Sequence, residues 1–68
     1  MKLYFVNDNP QIGGEHEVHT EDCYYLKIAS SKTRLGYFNS CHEAMVEARK
    51  HYYNVDGCKY CCPDCHKR

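Results

Sequence analysis

Tryptophan is absent from this 68-residue chain, proline occurs only twice, and the mean hydropathy of -0.77 reflects a shortage of aliphatic side chains. No apolar run approaches the roughly 20 residues that a membrane-spanning helix needs, so we expect no membrane insertion. A chain of this length buries only about 60% of the surface that its unfolded state exposes. We therefore expect a weak hydrophobic core and some additional stabilising element.

An excess charge of either sign is also missing. Nine Lys and Arg residues balance nine Asp and Glu residues, so the formal net charge is zero. This balance argues against the strongly basic surface of a general nucleic-acid or membrane binder. Lys27, Lys32 and Arg34 form a local basic cluster, which we interpret mainly as a solvated face. The partner is therefore predicted to be another protein or, through such a local patch, a nucleic acid.

The first residues, "MKLYFVNDNP", lack the long hydrophobic region of a secretory signal, because Asn7 and Asp8 interrupt the apolar run. With this start, we expect the protein to lie in the cytoplasm. Cysteines in that reducing compartment bind metals more often than they form stable disulfides.

Six cysteines are the strongest chemical signal. In "CKYC", Cys58 and Cys61 have the spacing at which two thiolates on a tight turn reach one tetrahedral ion. In "HTEDC", His19 and Cys23 lie four positions apart, which brings both side chains to one side of a helical turn or compact loop. These two pairs predict a Cys3His site for one Zn²⁺ per chain. Since four protein ligands leave no open coordination position, the site is predicted to be structural and not catalytic.

Other uses of the cysteines remain open. Cys65 in place of His19 is the main alternative ligand set, whereas Cys62 directly follows Cys61 and is expected not to bind the same ion. A disulfide framework would also account for six cysteines.

A thiol at a helix N-terminus can be reactive, and Cys41 occupies such a position. The alternative function is therefore a thiol-reactive or redox protein that uses Cys41, or Cys62 with Cys65. Against this, Cys41 continues the apolar stripe of the predicted helix, which favours a buried cysteine that serves only as a small hydrophobic residue. No catalytic residue is predicted, and a non-enzymatic role is favoured.

The secondary-structure signals indicate a small α+β domain covering residues 1–68. Strands are predicted at "KLYFVN", "EHEVHT" and "RLGYFNS", the first two joined by a loop rich in turn formers. Ser40 and Glu43 form a capping box ahead of a helix predicted over residues 41–52. The expected fold is a short antiparallel sheet of two or three strands, one main helix, a C-terminal CxxC knuckle and a loose tail at 63–68. The aromatic pairs Tyr24–Tyr25, Tyr37–Phe38 and Tyr52–Tyr53 are expected to supply the core.

The order of the motifs "VHTEDCYYL", "LGYFNSCHEAMVEA" and "CKYCCPDCH" resembles small bacterial zinc-binding proteins of unassigned function. More distantly, it is similar to the N-terminal zinc-binding domain of the Ada DNA repair protein. This resemblance implies one zinc held by His19, Cys23, Cys58 and Cys61. Ada-type domains accept a methyl group on a cysteine at the position that His19 occupies here. The resemblance therefore implies the scaffold and not methyl transfer.

Overall fold

The computed structural model describes residues 1–67. Its four strands form one mixed sheet: β1 (Lys2–Asn7), β2 (His16–Thr20), β3 (Lys32–Phe38) and β4 (Val55–Gly57), in the spatial order β3-β1-β2-β4. Two helices, α1 (Tyr24–Lys27) and α2 (Cys41–Ala48), and a C-terminal 3-10 turn (Pro63–Cys65) complete the described part. The predicted α+β class is confirmed, with a larger sheet than expected.

β1 is a central strand that lies between β3 and β2 in the sheet. It pairs antiparallel with β2, where Val6 lies opposite Val18, and antiparallel with β3. Both valines are completely buried. The register of the first pair also sets Phe5 opposite His19, which faces the other side of the sheet.

α2 begins where the capping box predicts. The Ser40 hydroxyl accepts a hydrogen bond from the amide of Glu43 at 3.4 Å, and the Glu43 carboxylate accepts one from the amide of Asn39 at 2.8 Å. The helix ends at Ala48, before the predicted boundary. Beyond it the backbone tightens, because the amides of Lys50 and His51 bond three residues back, the latter to the Ala48 carbonyl at 2.9 Å. The buried stripe of α2 packs on β3 and comprises Cys41, Ala44, Met45 and Ala48.

β4 was not predicted. It has only three residues and runs parallel to β2, with Val55 opposite His16 and Gly57 opposite Val18. The sheet is therefore mixed, whereas an antiparallel sheet was expected. Residues 56 and 57 belong to this strand and lead the chain to the CxxC segment at the edge of the sheet.

Two expectations about the periphery differ from the structure. The predicted loose tail contains the 3-10 turn, in which Cys65 is buried; Arg68 lies outside the described residues. Most tyrosines lie at the surface, and only Tyr4 is buried. The core depends instead on Val6, Val18, Leu35 and the apolar side of α2. Within residues 1–67, no helix has the length and apolar character that crossing a membrane requires.

Candidate metal centre

Four predicted ligands converge at one end of the sheet. One ligand atom each from His19, Cys23, Cys58 and Cys61 lies within 4.8 Å of all the others. The sulfurs of Cys23 and Cys58 are 3.9 Å apart, and the Cys61 sulfur lies 3.8 Å from Nδ1 of His19. Zinc–sulfur bonds of about 2.3 Å at tetrahedral angles place two sulfurs about 3.8 Å apart. The group is therefore positioned to hold a metal ion, with spacings close to those of a tetrahedral site.

Each ligand is positioned by a different part of the fold. His19 lies on β2, and Cys23 caps the N-terminus of α1. Cys58 follows β4, and its amide donates to the Val18 carbonyl at 3.0 Å, which continues the pairing between β4 and β2. The Cys62 amide donates to the Cys58 carbonyl at 2.9 Å and closes the knuckle that presents Cys61. A bound ion would thus join segments that are distant in sequence.

Backbone amides are aimed at the sulfurs. The amide of Tyr60 donates to the sulfur of Cys58 at 3.4 Å, and the amide of Thr20 donates to the sulfur of Cys61 at 3.4 Å. Hydrogen bonds from amides stabilise the charged thiolate over the neutral thiol. Thiolates are the form in which cysteines bind metals, so this polar environment suits a metal–thiolate centre.

His19 is prepared for ligation by its burial and its neighbours. Only 1% of its side chain is exposed. This burial lowers its pKa to about 4, so the imidazole is neutral at physiological pH. Nδ1 points toward Cys61, and Nε2 lies 3.6 Å from a carboxylate oxygen of Glu17. A carboxylate behind a histidine ligand fixes the ring orientation and tautomer in many metal sites.

Without a bound metal, burial disfavours the thiolate form of the cysteines at this site. Burial raises the pKa of Cys58 to about 12 and also raises that of Cys23. A bound cation would reverse this penalty, because a coordinated thiol is deprotonated by the charge of the ion. The donor set and its surroundings therefore fit a divalent, thiophilic metal.

The alternative ligand Cys65 lies elsewhere. Its sulfur forms a disulfide with Cys41, and their Cα atoms are 6.4 Å apart. Cys65 therefore does not replace His19 in this structure, and Cys41 is not the free nucleophile that the alternative function needs. The bond was not foreseen, because the tail containing Cys65 was expected to be loose, whereas the 3-10 turn packs on α2.

Cys62 was expected not to bind the ion with Cys61. Its sulfur lies 3.8 Å from that of Cys61, but it is not among the four grouped ligand atoms. It is buried and is not in a disulfide. The suggested redox partnership of Cys62 with Cys65 has a different arrangement here, because Cys65 is bonded to Cys41.

Exposed rings beside the metal centre were missed by the sequence reasoning. Tyr24, Tyr25 and Tyr60, here called the tyrosine surface, are 65%, 42% and 65% exposed. The rings of Tyr25 and Tyr60 stack with centroids 4.9 Å apart, and Tyr24 meets Tyr25 edge-on at 5.4 Å. A signal was present in the sequence, since each tyrosine is within two residues of a predicted ligand and so lies on a ligand-bearing turn.

No family model, curated protein or solved structure matches this chain. The similarity to Ada-type domains therefore stays a prediction from the order of the motifs. What is established is a small α+β fold in which Cys and His side chains are grouped in a position to bind a metal ion.

Proposed function

We propose that the protein is a small zinc-stabilised binding domain with one structural Zn²⁺ held by His19, Cys23, Cys58 and Cys61. The observation that carries the proposal is the closed set of four buried or half-buried donors in near-tetrahedral spacing. Three thiolates and one imidazole are a common ligand set of structural zinc sites. Because all four positions are filled by protein, a substrate has no coordination position to enter.

Native mass spectrometry of protein purified without chelator tests the metal centre. We expect one zinc per chain, and loss or weakening of zinc binding in His19→Ala and Cys23→Ser. Cys62→Ser is the matched control, since it removes a neighbouring buried thiol that is outside the ligand group. A metal-free protein whose mass shows every cysteine oxidised in pairs would refute the proposal.

The tyrosine surface is the proposed contact face. Its three rings are carried by α1 and by the knuckle, and both segments lie next to ligands of the proposed metal centre. The ammonium of Lys59 lies 5.9 Å from the centre of the Tyr60 ring, and Lys27 ends α1. Exposed tyrosines beside lysines can stack on bases near phosphates, and tyrosine is also enriched at protein interfaces. The partner is thus a protein or a single-stranded nucleic acid.

A fluorescently labelled single-stranded oligonucleotide distinguishes the two partner classes. If the partner is nucleic acid, binding should weaken with salt and fall several-fold in Tyr25→Ala and Tyr60→Ala, because each lost stack contributes about 1–3 kcal/mol. Tyr53→Ala is the control, since Tyr53 is fully exposed outside the tyrosine surface. An unchanged affinity in both variants would reject this surface as the nucleic-acid site. No binding at low salt would leave a protein partner.

A further inference from the structure

A second group of metal-ligating side chains lies apart from the first. Ligand atoms of Cys41, His42 and Cys65, here called the second cluster, are all within 4.8 Å of one another. Cys41 and Cys65 are buried and joined by the disulfide, whereas His42 is exposed. None of the three residues belongs to the first centre.

We propose that reduction of the Cys41–Cys65 disulfide converts the second cluster into a binding site for a second Zn²⁺. The protein would then hold one ion when oxidised and two when reduced. This inference goes beyond the proposed function, because it concerns different residues and does not depend on the tyrosine surface.

The chemistry needs a two-electron reductant, for which a cellular dithiol is suitable. The S–S bond between Cys41 and Cys65 breaks, each sulfur gains one electron and one proton, and the dithiol is oxidised to its own disulfide. Zn²⁺ then displaces one proton from each of the two thiols and forms two Zn–S bonds. A ring nitrogen of His42 supplies the third protein ligand.

The backbone already holds the two cysteines in a suitable place. Their Cα atoms are 6.4 Å apart, and their sulfurs need to separate only to about 3.8 Å to bind one tetrahedral ion. Cys41 is the first residue of α2, where the N-terminal end of the helix dipole favours a thiolate. His42 follows in the same first turn, and its exposed ring has room to turn toward the ion.

The second cluster differs from the first centre in its openness. It has three protein ligands, so a fourth position is left for water or another small ligand. A surface cleft reaches it and is bordered by Tyr4, Ser40, Cys62 and Asp64. We therefore expect the second ion to bind more weakly and exchange faster than the first. Metal occupancy would report the redox state of the disulfide.

The test is a zinc titration followed by native mass spectrometry, with oxidised and phosphine-reduced protein compared under inert gas. Oxidised protein should bind one Zn²⁺, and reduced protein should bind two. Reduced Cys65→Ser should bind one. Reduced His42→Ala should bind the second ion at least about tenfold more weakly, because losing even an outer-shell partner of a ligand costs that much.

Controls separate this proposal from the first metal centre. Reduced Cys62→Ser should still bind two ions, because Cys62 belongs to neither group of ligand atoms. The visible spectrum of bound Co²⁺ at the first centre verifies that Cys65→Ser folds, and exposed His42 can be replaced without disturbing the core. An equal number of ions in oxidised and reduced wild-type protein, or two in reduced Cys65→Ser, would overturn the proposal.

Discussion

Glu17 illustrates how a single residue outside the ligand set can tune the metal centre. Its carboxylate oxygen lies 3.6 Å from Nε2 of His19, on the side of the ring opposite the proposed ligand atom. The carboxylate favours a proton on Nε2 and leaves Nδ1 free for the metal. A neutral amide in place of the Glu17 carboxylate would interact less strongly with the Nε2 proton, so it would stabilise this tautomer of His19 less.

We predict that Glu17→Gln lowers zinc affinity about 10-fold, because outer-shell partners of histidine ligands contribute a factor of roughly 10–100. Competition with a chromophoric chelator at pH 7 measures the change. Glu47→Gln is the control, since Glu47 lies on α2 and pairs with Lys50 and His51 just after the helix, outside the proposed ligand group. Equal affinities of Glu17→Gln and wild type would show that Glu17 does not orient His19.

Close packing requires a glycine at position 57, directly before the proposed ligand Cys58. A Cβ atom at this position would lie 2.6 Å from the Cβ of Cys65 and 2.8 Å from the carbonyl oxygen of Cys62. Cys65 is held by the disulfide and Cys62 by the knuckle, so these two neighbours have little freedom to move away. Any shift would pass directly to Cys58, the next residue in the chain.

Gly57→Ala should therefore destabilise the protein by about 1–3 kcal/mol, as overpacking of a filled interior does, and should weaken zinc binding. Chemical denaturation and the chelator competition measure the two effects. Gly13→Ala, in the exposed loop between β1 and β2, should change neither. Wild-type stability in Gly57→Ala would mean that the C-terminal turn moves aside at no cost.

At the scale of elements, Asp8 joins three parts of the fold. Its carboxylate accepts hydrogen bonds from the hydroxyls of Ser31 and Thr33 at 2.7 Å and from Tyr52 at 2.8 Å. Burial acts to raise the pKa of Asp8, but these hydrogen bonds outweigh it and hold the pKa below its usual range. A lowered pKa means that folding favours the ionised form, so Asp8 stabilises the fold at neutral pH.

Asp8→Ala should lower the free energy of unfolding by about 1–3 kcal/mol at pH 7, because it leaves three donors without their charged acceptor. Tyr52→Phe removes one of the three bonds and should cost about 1 kcal/mol. Urea denaturation of the zinc-loaded proteins measures both. A smaller loss in Asp8→Ala than in Tyr52→Phe would contradict the view that Asp8 connects these elements.

Elements that depend on neighbouring residues could be predicted from the sequence, whereas elements that depend on contacts between distant segments could not. β1 and the start of α2 depend on nearby residues, namely an apolar run and the cap formed by Ser40. β4 depends on its parallel pairing with β2, a contact between distant segments that a three-residue stretch does not reveal. The end of α2 was misplaced because the helical spacing continues to Tyr52 after the backbone has tightened.

The same distinction applies to the candidate site. His-x3-Cys and Cys-x2-Cys are local spacings, and they identified the four residues that the fold groups within 4.8 Å. The bond between Cys41 and Cys65 depends on the packing of the C-terminal turn against α2, which no local pattern records. Tyr24 and Tyr25 were expected in the core because their hydrophobic character was considered without the exposed turn that carries them.

At the scale of the whole molecule, two crosslinks would stabilise the fold, namely the Cys41–Cys65 disulfide and the proposed zinc ion, and they differ in the free energy they contribute. The Cys41–Cys65 disulfide spans 24 residues and contributes about 3–4 kcal/mol by restricting the unfolded chain. Structural zinc contributes an apparent ~10–16 kcal/mol in small zinc-finger peptides, which matches or exceeds the net stability of an ordinary domain. The proposed ion also joins β2, α1 and the segment after β4, whereas the disulfide joins only α2 to the C-terminal turn.

We therefore predict that removing zinc with a chelator unfolds the protein even when the disulfide is intact, as measured by loss of amide dispersion in NMR spectra and of secondary structure in circular dichroism. Reducing the disulfide in zinc-loaded protein should lower the melting temperature but leave the fold. Restoring zinc to the chelated, oxidised chain should recover the native spectrum, since the ligands are the principal missing constraint. A chelated protein that keeps its native spectrum would show that the core and the disulfide suffice, and the first centre would then lose its structural role.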